Sequence, residues 1–77
     1  MNQMINAGRK QRLELILEEY LVMFERAKTK EEFNCYCPVF IRAITEYRLM
    51  ATEAADKILE RYQEIDYRKP WRRSPFL

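Results

Sequence analysis

From Phe33 to Ile65 the chain carries one apolar stripe at helical spacing whose phase does not slip: Phe33, Tyr36, Phe40, Ile44, Tyr47, Ala51, Ala54, Ile58, Tyr62 and Ile65. Ala43, Met50 and Ala55 widen it. Apolar residues recurring at i, i+3, i+4 and i+7 mark one face of an α-helix, and that face has to be covered. What can cover it decides what this chain folds into.

A first stripe precedes it. Leu13, Ile16, Leu17, Tyr20, Leu21, Phe24 and Ala27 fall on one side of a helix, with Glu14, Glu18, Glu19, Glu25 and Arg26 on the other. The pattern predicts a helix over roughly Gly8 to Lys28, with Asn6 as a candidate N-cap and the residues before it loose. Thr29-Lys30-Glu31-Glu32 fits a capping box. There the Thr29 hydroxyl accepts from the Glu32 amide and the Glu32 carboxylate returns to the Thr29 amide. Pro38 interrupts the second stripe without shifting it. It reads either as a kink in one helix or, the preferred reading, as the start of a new helix, because proline inside a helix costs about 3 kcal/mol.

A short connection between the stripes makes antiparallel neighbours the natural geometry. The expected class is therefore all-α, an antiparallel helical hairpin over residues 1–66 followed by an extended tail over 67–77. The lengths conflict, however: about 31 Å for the first helix against about 43 Å for Pro38 to Asp66. The excess calls for a second chain, giving a dimeric four-helix bundle, or for a break near Thr52 that folds the last segment back as a third helix, or for cover by the tail. The dimer ranks first, since Ala51 to Ile65 contains no Gly or Pro and two-fold pairing is the commonest oligomer. Seventy-seven residues bury only about 60% of their unfolded surface, so a second subunit would also help stability.

The chemistry is narrowed by what is missing. There is no His, which removes the commonest general base and zinc ligand, and a single Gly cannot build a phosphate-cradling loop. Cys35 and Cys37 are one residue apart, too close for an unstrained disulfide, and supply two of the four ligands of a closed zinc site. Reduced, half-buried thiols are expected, with no metal and no cofactor. Carboxylates are plentiful but fall on solvent-facing stripes, so neither an enzyme nor a small-molecule substrate is expected. No run of about 18 apolar residues is present and the polar start lacks an apolar signal core, which leads to an expected cytoplasmic, membrane-free chain.

Two features are left over after the core. Leu15 and Val22 lie seven residues apart on the outer side of the first helix, and Leu49 on the outer side of the second, forming a candidate apolar seam for another helix. The charges are also unevenly placed. Arg9, Lys10 and Arg12 at one end and Arg68, Lys69, Arg72 and Arg73 at the other carry +7, while the middle carries −5. In a hairpin these ends would converge into one basic pole, attractive to nucleic acid or to an acidic protein. The tail adds Tyr67, Trp71 and Phe76, which can stack on bases or pack on a partner, and Arg72-Arg73-Ser74-Pro75 reads as a phosphoacceptor motif. Glu46, Glu53, Asp56, Glu60 and Glu64 on the exposed side of the second stripe argue against insertion into a DNA groove. The expected function is a non-catalytic interaction protein that binds and regulates, inhibits or bridges a larger partner, protein in preference to nucleic acid. Small regulators and prophage proteins share its size, an analogy of scale only. The alternative is a nucleic-acid binder using the basic pole of residues 9–12 and 68–73.

Overall fold

A computed structural model describes residues 2–73, with the side chains of 8–72. The order is α1 (Asn2–Arg26), α2 (Lys30–Met50), α3 (Thr52–Tyr67) and a single turn, α4 (Pro70–Arg73). The fold is all-α, with three long helices packed against one another. No helix among the described residues is long and apolar enough to cross a membrane.

α1 begins at Asn2, earlier than the expected start at Gly8, so Asn6 lies within the helix and is not its cap. Nothing between Asn2 and Gly8 breaks a helix, since that stretch contains no proline. α1 ends at Arg26, and three residues lead to α2. Thr29 is the N-cap, with extended backbone (φ −125°, ψ 153°), and its hydroxyl accepts from the Glu32 amide at 3.1 Å. The Glu32 side chain returns one residue further back than expected: Oε1 accepts from the Lys28 amide at 3.1 Å, and Oε2 accepts from the Tyr36 hydroxyl at 3.2 Å. Lys28 lies just past α1, where its amide has no place in that helix's ladder, so the carboxylate serves the loop and the new helix together.

The preferred break at Pro38 is not found: α2 runs unbroken from Lys30 to Met50 with Pro38 inside it. Both Pro38 and Asn34, the residue whose carbonyl loses its intrahelical donor, sit on the solvent side. On the other side Phe33 and Phe40 are both buried, and their burial, about 1.5 to 3 kcal/mol each, offsets the proline's cost.

The reversal comes instead at Ala51, one residue with φ −150° and ψ 79° between α2 and α3. Of the three ways to cover the long stripe, the chain takes the break near Thr52. Ala51, not Thr52, is the N-cap residue of α3. The Thr52 hydroxyl donates back to the Arg48 carbonyl at 3.2 Å, while the Ala51 amide still bonds the Tyr47 carbonyl at 2.9 Å. Arg48 and Asp56 bridge the corner at 3.7 Å. Small residues on both sides, Ala43 and Ala55, are buried there and let α2 and α3 approach closely. α3 then runs antiparallel to α2, which places Tyr62 stacked on Phe40 with ring centroids 5.0 Å apart.

The core is centred on Phe24, fully buried, with ring centroids 4.6 Å from Phe33, 5.0 Å from Tyr62, 5.2 Å from Phe40 and 5.8 Å from Tyr36. One side chain of α1 thus touches both other helices. Ile16 and Met50, placed in the stripes by their spacing, lie at the edge and are exposed. Toward the α2–α3 corner, Tyr47 is buried and its hydroxyl donates to Glu14 Oε2 at 2.7 Å.

Burial, followed by the Glu14 carboxylate, pushes the Tyr47 hydroxyl up to about 12. Burial likewise raises Tyr62, with the Cys37 thiol as the next cause. A raised folded-state pKa means that the neutral phenol is favoured in the fold. The associated stability is complete below the unfolded value of about 10 and is lost as pH rises through the folded value. A cooperative loss of helix is therefore expected between about pH 10 and 12 in a circular dichroism titration. Tyr47→Phe should move that loss to higher pH, and an unchanged midpoint would mean that Tyr47 is not held in this site.

Candidate interaction surfaces

The two basic segments do not converge. Because α3 folds back, the C-terminal segment returns to the Ala27–Thr29 connection, whereas Arg9 lies beside the α2–α3 corner. The Arg9 guanidinium pairs with Glu46. The Lys69 ammonium donates to the Glu25 and Ala27 carbonyls, both at 2.9 Å. Sixteen residues of α1 separate the two places, about 24 Å. The expected pole rested on a two-helix hairpin, and the third helix sends the two ends to opposite sides.

Several of the expected contact residues are engaged within the chain. Lys69 bonds carbonyls at the C-terminal end of α1, Glu25 within it and Ala27 just past it, where a cation is favoured by the helix dipole. Arg72 Nε donates to Asp66 Oδ1 at 3.0 Å, and this pairing raises the arginine's pKa. Arg68 Nε bonds the Glu64 carbonyl at 3.3 Å. Trp71 is half-buried, edge-on to Phe33 at 5.8 Å between ring centroids, with the Lys69 ammonium over its ring at 5.8 Å. The tail is therefore not extended as far as Arg73. Pro70 opens a helical turn, a position where its fixed φ suits a helix and its missing amide hydrogen costs nothing. Lys10 and Arg12 are exposed on α1. Arg73 closes the turn of α4, and Ser74 and Phe76 lie outside the described residues.

The expected outer seam is exposed throughout: Leu49 by 86%, Leu15 by 65% and Val22 by 47%. Sequence reasoning missed Ile41 and Val39, both exposed on α2, whereas Tyr67, expected in the extended tail, is exposed as the last residue of α3. A signal was there for both: at about 100° per residue Val39 and Ile41 fall to either side of the sector that Phe33, Phe40, Ala43, Ile44 and Tyr47 occupy. Ile41, Leu49 and Arg42 share the outward side of α2. Beside Val22 a shallow groove of about 210 Å³ runs between α1 and α3, with Leu21 and Ile65 in its floor and Arg61 on its wall.

Arg61 is tied to Glu18 by two hydrogen bonds, 2.7 and 2.9 Å. That guanidinium holds the Glu18 carboxyl below its ordinary range, and the carboxylate raises the arginine in return. The cysteines are free, Cys35 exposed and Cys37 half-buried. In a continuous helix they point about 200° apart. The Cys37 thiol lies 3.6 Å from the Phe33 carbonyl and 3.7 Å from the Tyr62 hydroxyl. Among the described residues no three His, Cys, Asp or Glu side chains cluster as a metal site would require.

No protein-family model, curated protein sequence or solved structure matches this chain.

Proposed function

We propose that this chain is a non-catalytic helical interaction protein that binds a larger protein partner and regulates, inhibits or bridges it. The observation that carries this reading is the exposure of Leu15, Ile41 and Leu49, by 65%, 58% and 86%, on a fold whose core three helices already close. Scattered surface apolar residues are ordinary in any protein. Here they stand exposed on two helices that also carry the exposed bases Arg12 and Arg42, surfaces on which an amphipathic helix of a partner can dock.

A protein partner is favoured over nucleic acid by the way the basic residues are used. Arg9, Lys69 and Arg72 are engaged with the chain's own acids and carbonyls, and the two basic segments lie about 24 Å apart. Light scattering of the purified protein, with and without DNA and RNA at two salt concentrations, tests this. No change in mass on adding either nucleic acid is expected. A larger, salt-sensitive species would replace this reading with that of a nucleic-acid binder, because release of counterions makes such binding steeply salt-dependent. Affinity capture with the wild type and with Ile41→Asp/Leu49→Asp supplies the second arm. A protein retained by the wild type at about 0.5 M salt, where screening acts within ~5 Å, and lost by the variant is the expected result.

A further inference from the structure

Once the core is closed, the outward sides of the three helices differ in charge. That of α3 carries Glu53, Asp56, Glu60 and Glu64, and that of α1 mixes both signs around Leu15 and Val22. The outward side of α2 is different. At about 100° per residue Ile41, Thr45 and Leu49 follow one another along it as an i, i+4, i+8 ridge, with Arg42 to one side and Arg48 to the other. Ile41 and Leu49 are exposed by 58% and 86%. The Thr45 hydroxyl between them donates to the Ile41 carbonyl at 2.7 Å, so covering the ridge strands no hydroxyl donor.

The charges along this ridge are of one sign once pairing is counted. From Pro38 to Leu49, about 16 Å of helix, the acid is Glu46, and Arg9 of α1 already pairs with it. Asp56 of α3 faces Arg48 at 3.7 Å, beyond hydrogen-bonding distance, so the Arg48 guanidinium keeps its donors. Among the described residues Arg42 makes no ion pair. Whatever covers Ile41 and Leu49 therefore meets an arginine on each flank and no free carboxylate. A basic helix is repelled there, and a phosphate backbone, which calls for a row of bases, meets an apolar centre. This chain's own acidic helix cannot be the ligand, because the apolar stripe of α3, Ala55, Ile58 and Ile65, is buried in the core. We propose that the ridge docks one helix of the protein partner, amphipathic and acidic. Its apolar stripe covers Ile41, Thr45 and Leu49, and its Asp or Glu side chains on either flank meet Arg42 and Arg48. The assignment rests on the chain being a partner-binding protein and names the element of the partner that it holds.

Synthetic helix-stapled peptides of about 18 residues, five turns, supply the probe. Three share one leucine stripe and differ in its flanks, which are Glu, Gln or Lys, and each is titrated with the full-length protein at low salt and followed by fluorescence anisotropy. The Glu-flanked peptide is expected to bind about tenfold more tightly than the Gln-flanked one, as two partly exposed ion pairs allow, and the Lys-flanked one more weakly still. Arg42→Glu/Arg48→Glu should reverse that order. Arg42→Gln/Arg48→Gln, which sets no new charge beside Asp56, should bring the Glu- and Gln-flanked peptides level. Arg26→Glu/Lys57→Glu makes the same change of net charge on the other two helices and should keep the wild-type order. Ile41→Asp/Leu49→Asp should lose the Glu-flanked peptide, with circular dichroism showing every variant as helical as the wild type. Equal binding of the three peptides, binding of none, an order that Arg26→Glu/Lys57→Glu also reverses, or a DNA oligonucleotide bound by the wild type and lost in Arg42→Gln/Arg48→Gln would overturn the proposal. If affinity capture still retains a protein through Ile41 and Leu49 while the three peptides bind alike, the acidic helix falls and the partner-binding function stands. If capture retains nothing, both fall.

Discussion

Phe24→Ala is expected to cost about 3 to 5 kcal/mol, the range for deleting a buried phenylalanine ring. Phe24 has no exposed surface and is the one side chain of α1 whose ring meets aromatic rings of both α2 and α3. Truncating it removes the packing of Phe33, Phe40, Tyr36 and Tyr62 at once, and the stiff rings around the cavity cannot all move in to fill it. A chain of this length has a total stability of about 4 to 12 kcal/mol, so the variant should be largely unfolded at moderate temperature. Urea denaturation followed by circular dichroism gives the comparison. A midpoint close to that of the wild type would mean that Phe24 does not lie between the other two helices.

The second large effect is expected at Ile58, which is 93% buried on the inner side of α3. Ile58→Asp removes an apolar contribution of about 1.5 to 3 kcal/mol and places a carboxylate in a core where, among the described residues, no polar or charged residue is buried to receive it. The carboxylate reaches water most cheaply by releasing α3 from α1 and α2. Release would carry away Tyr62 from Phe40, Arg61 from Glu18 and Trp71 from Phe33 together. The lone tryptophan reports on this directly, and its emission should shift to the red as it loses its half-buried place. If helix content and Trp71 emission both stay as in the wild type, α3 does not fold back as described, and a long two-helix hairpin with a partner subunit would be the better account.

Much of this architecture is legible in the sequence, and the places where it is not have a common cause. The core side of α1, the Thr29 cap and the antiparallel turn after Ala27 follow from spacing and short-range hydrogen bonding, which depend on residues within one or two turns. Pro38 misleads because its local cost is real, yet Phe33 and Phe40 on the opposite side bind both halves of α2 to the same core. Ala51 misleads in the other direction. Alanine is the best helix former and nothing near it breaks a helix, but one residue outside helical angles reverses the chain while leaving the apolar phase almost intact on either side. The misplaced basic pole is a consequence of that single residue, since an odd number of helices sends the two ends of the chain to opposite sides. The exposure of Leu15, Val22 and Leu49 was legible because an apolar residue off the stripe can be recognised from helical phase alone.

The sequence by itself determined that this chain is helical, where its two stripes lie, how α2 is capped and which apolar residues stand outside the core. These properties are set by 3.6-residue periodicity and by contacts a few residues apart. Only the tertiary structure decided that α2 runs through Pro38, that the long stripe folds back at Ala51, that Lys69 closes over the end of α1 while Trp71 packs on Phe33, and that the basic segments part. Each of these is a choice between local costs of a few kcal/mol, and what tips it is apolar area buried against residues distant in sequence, a quantity that no local pattern contains.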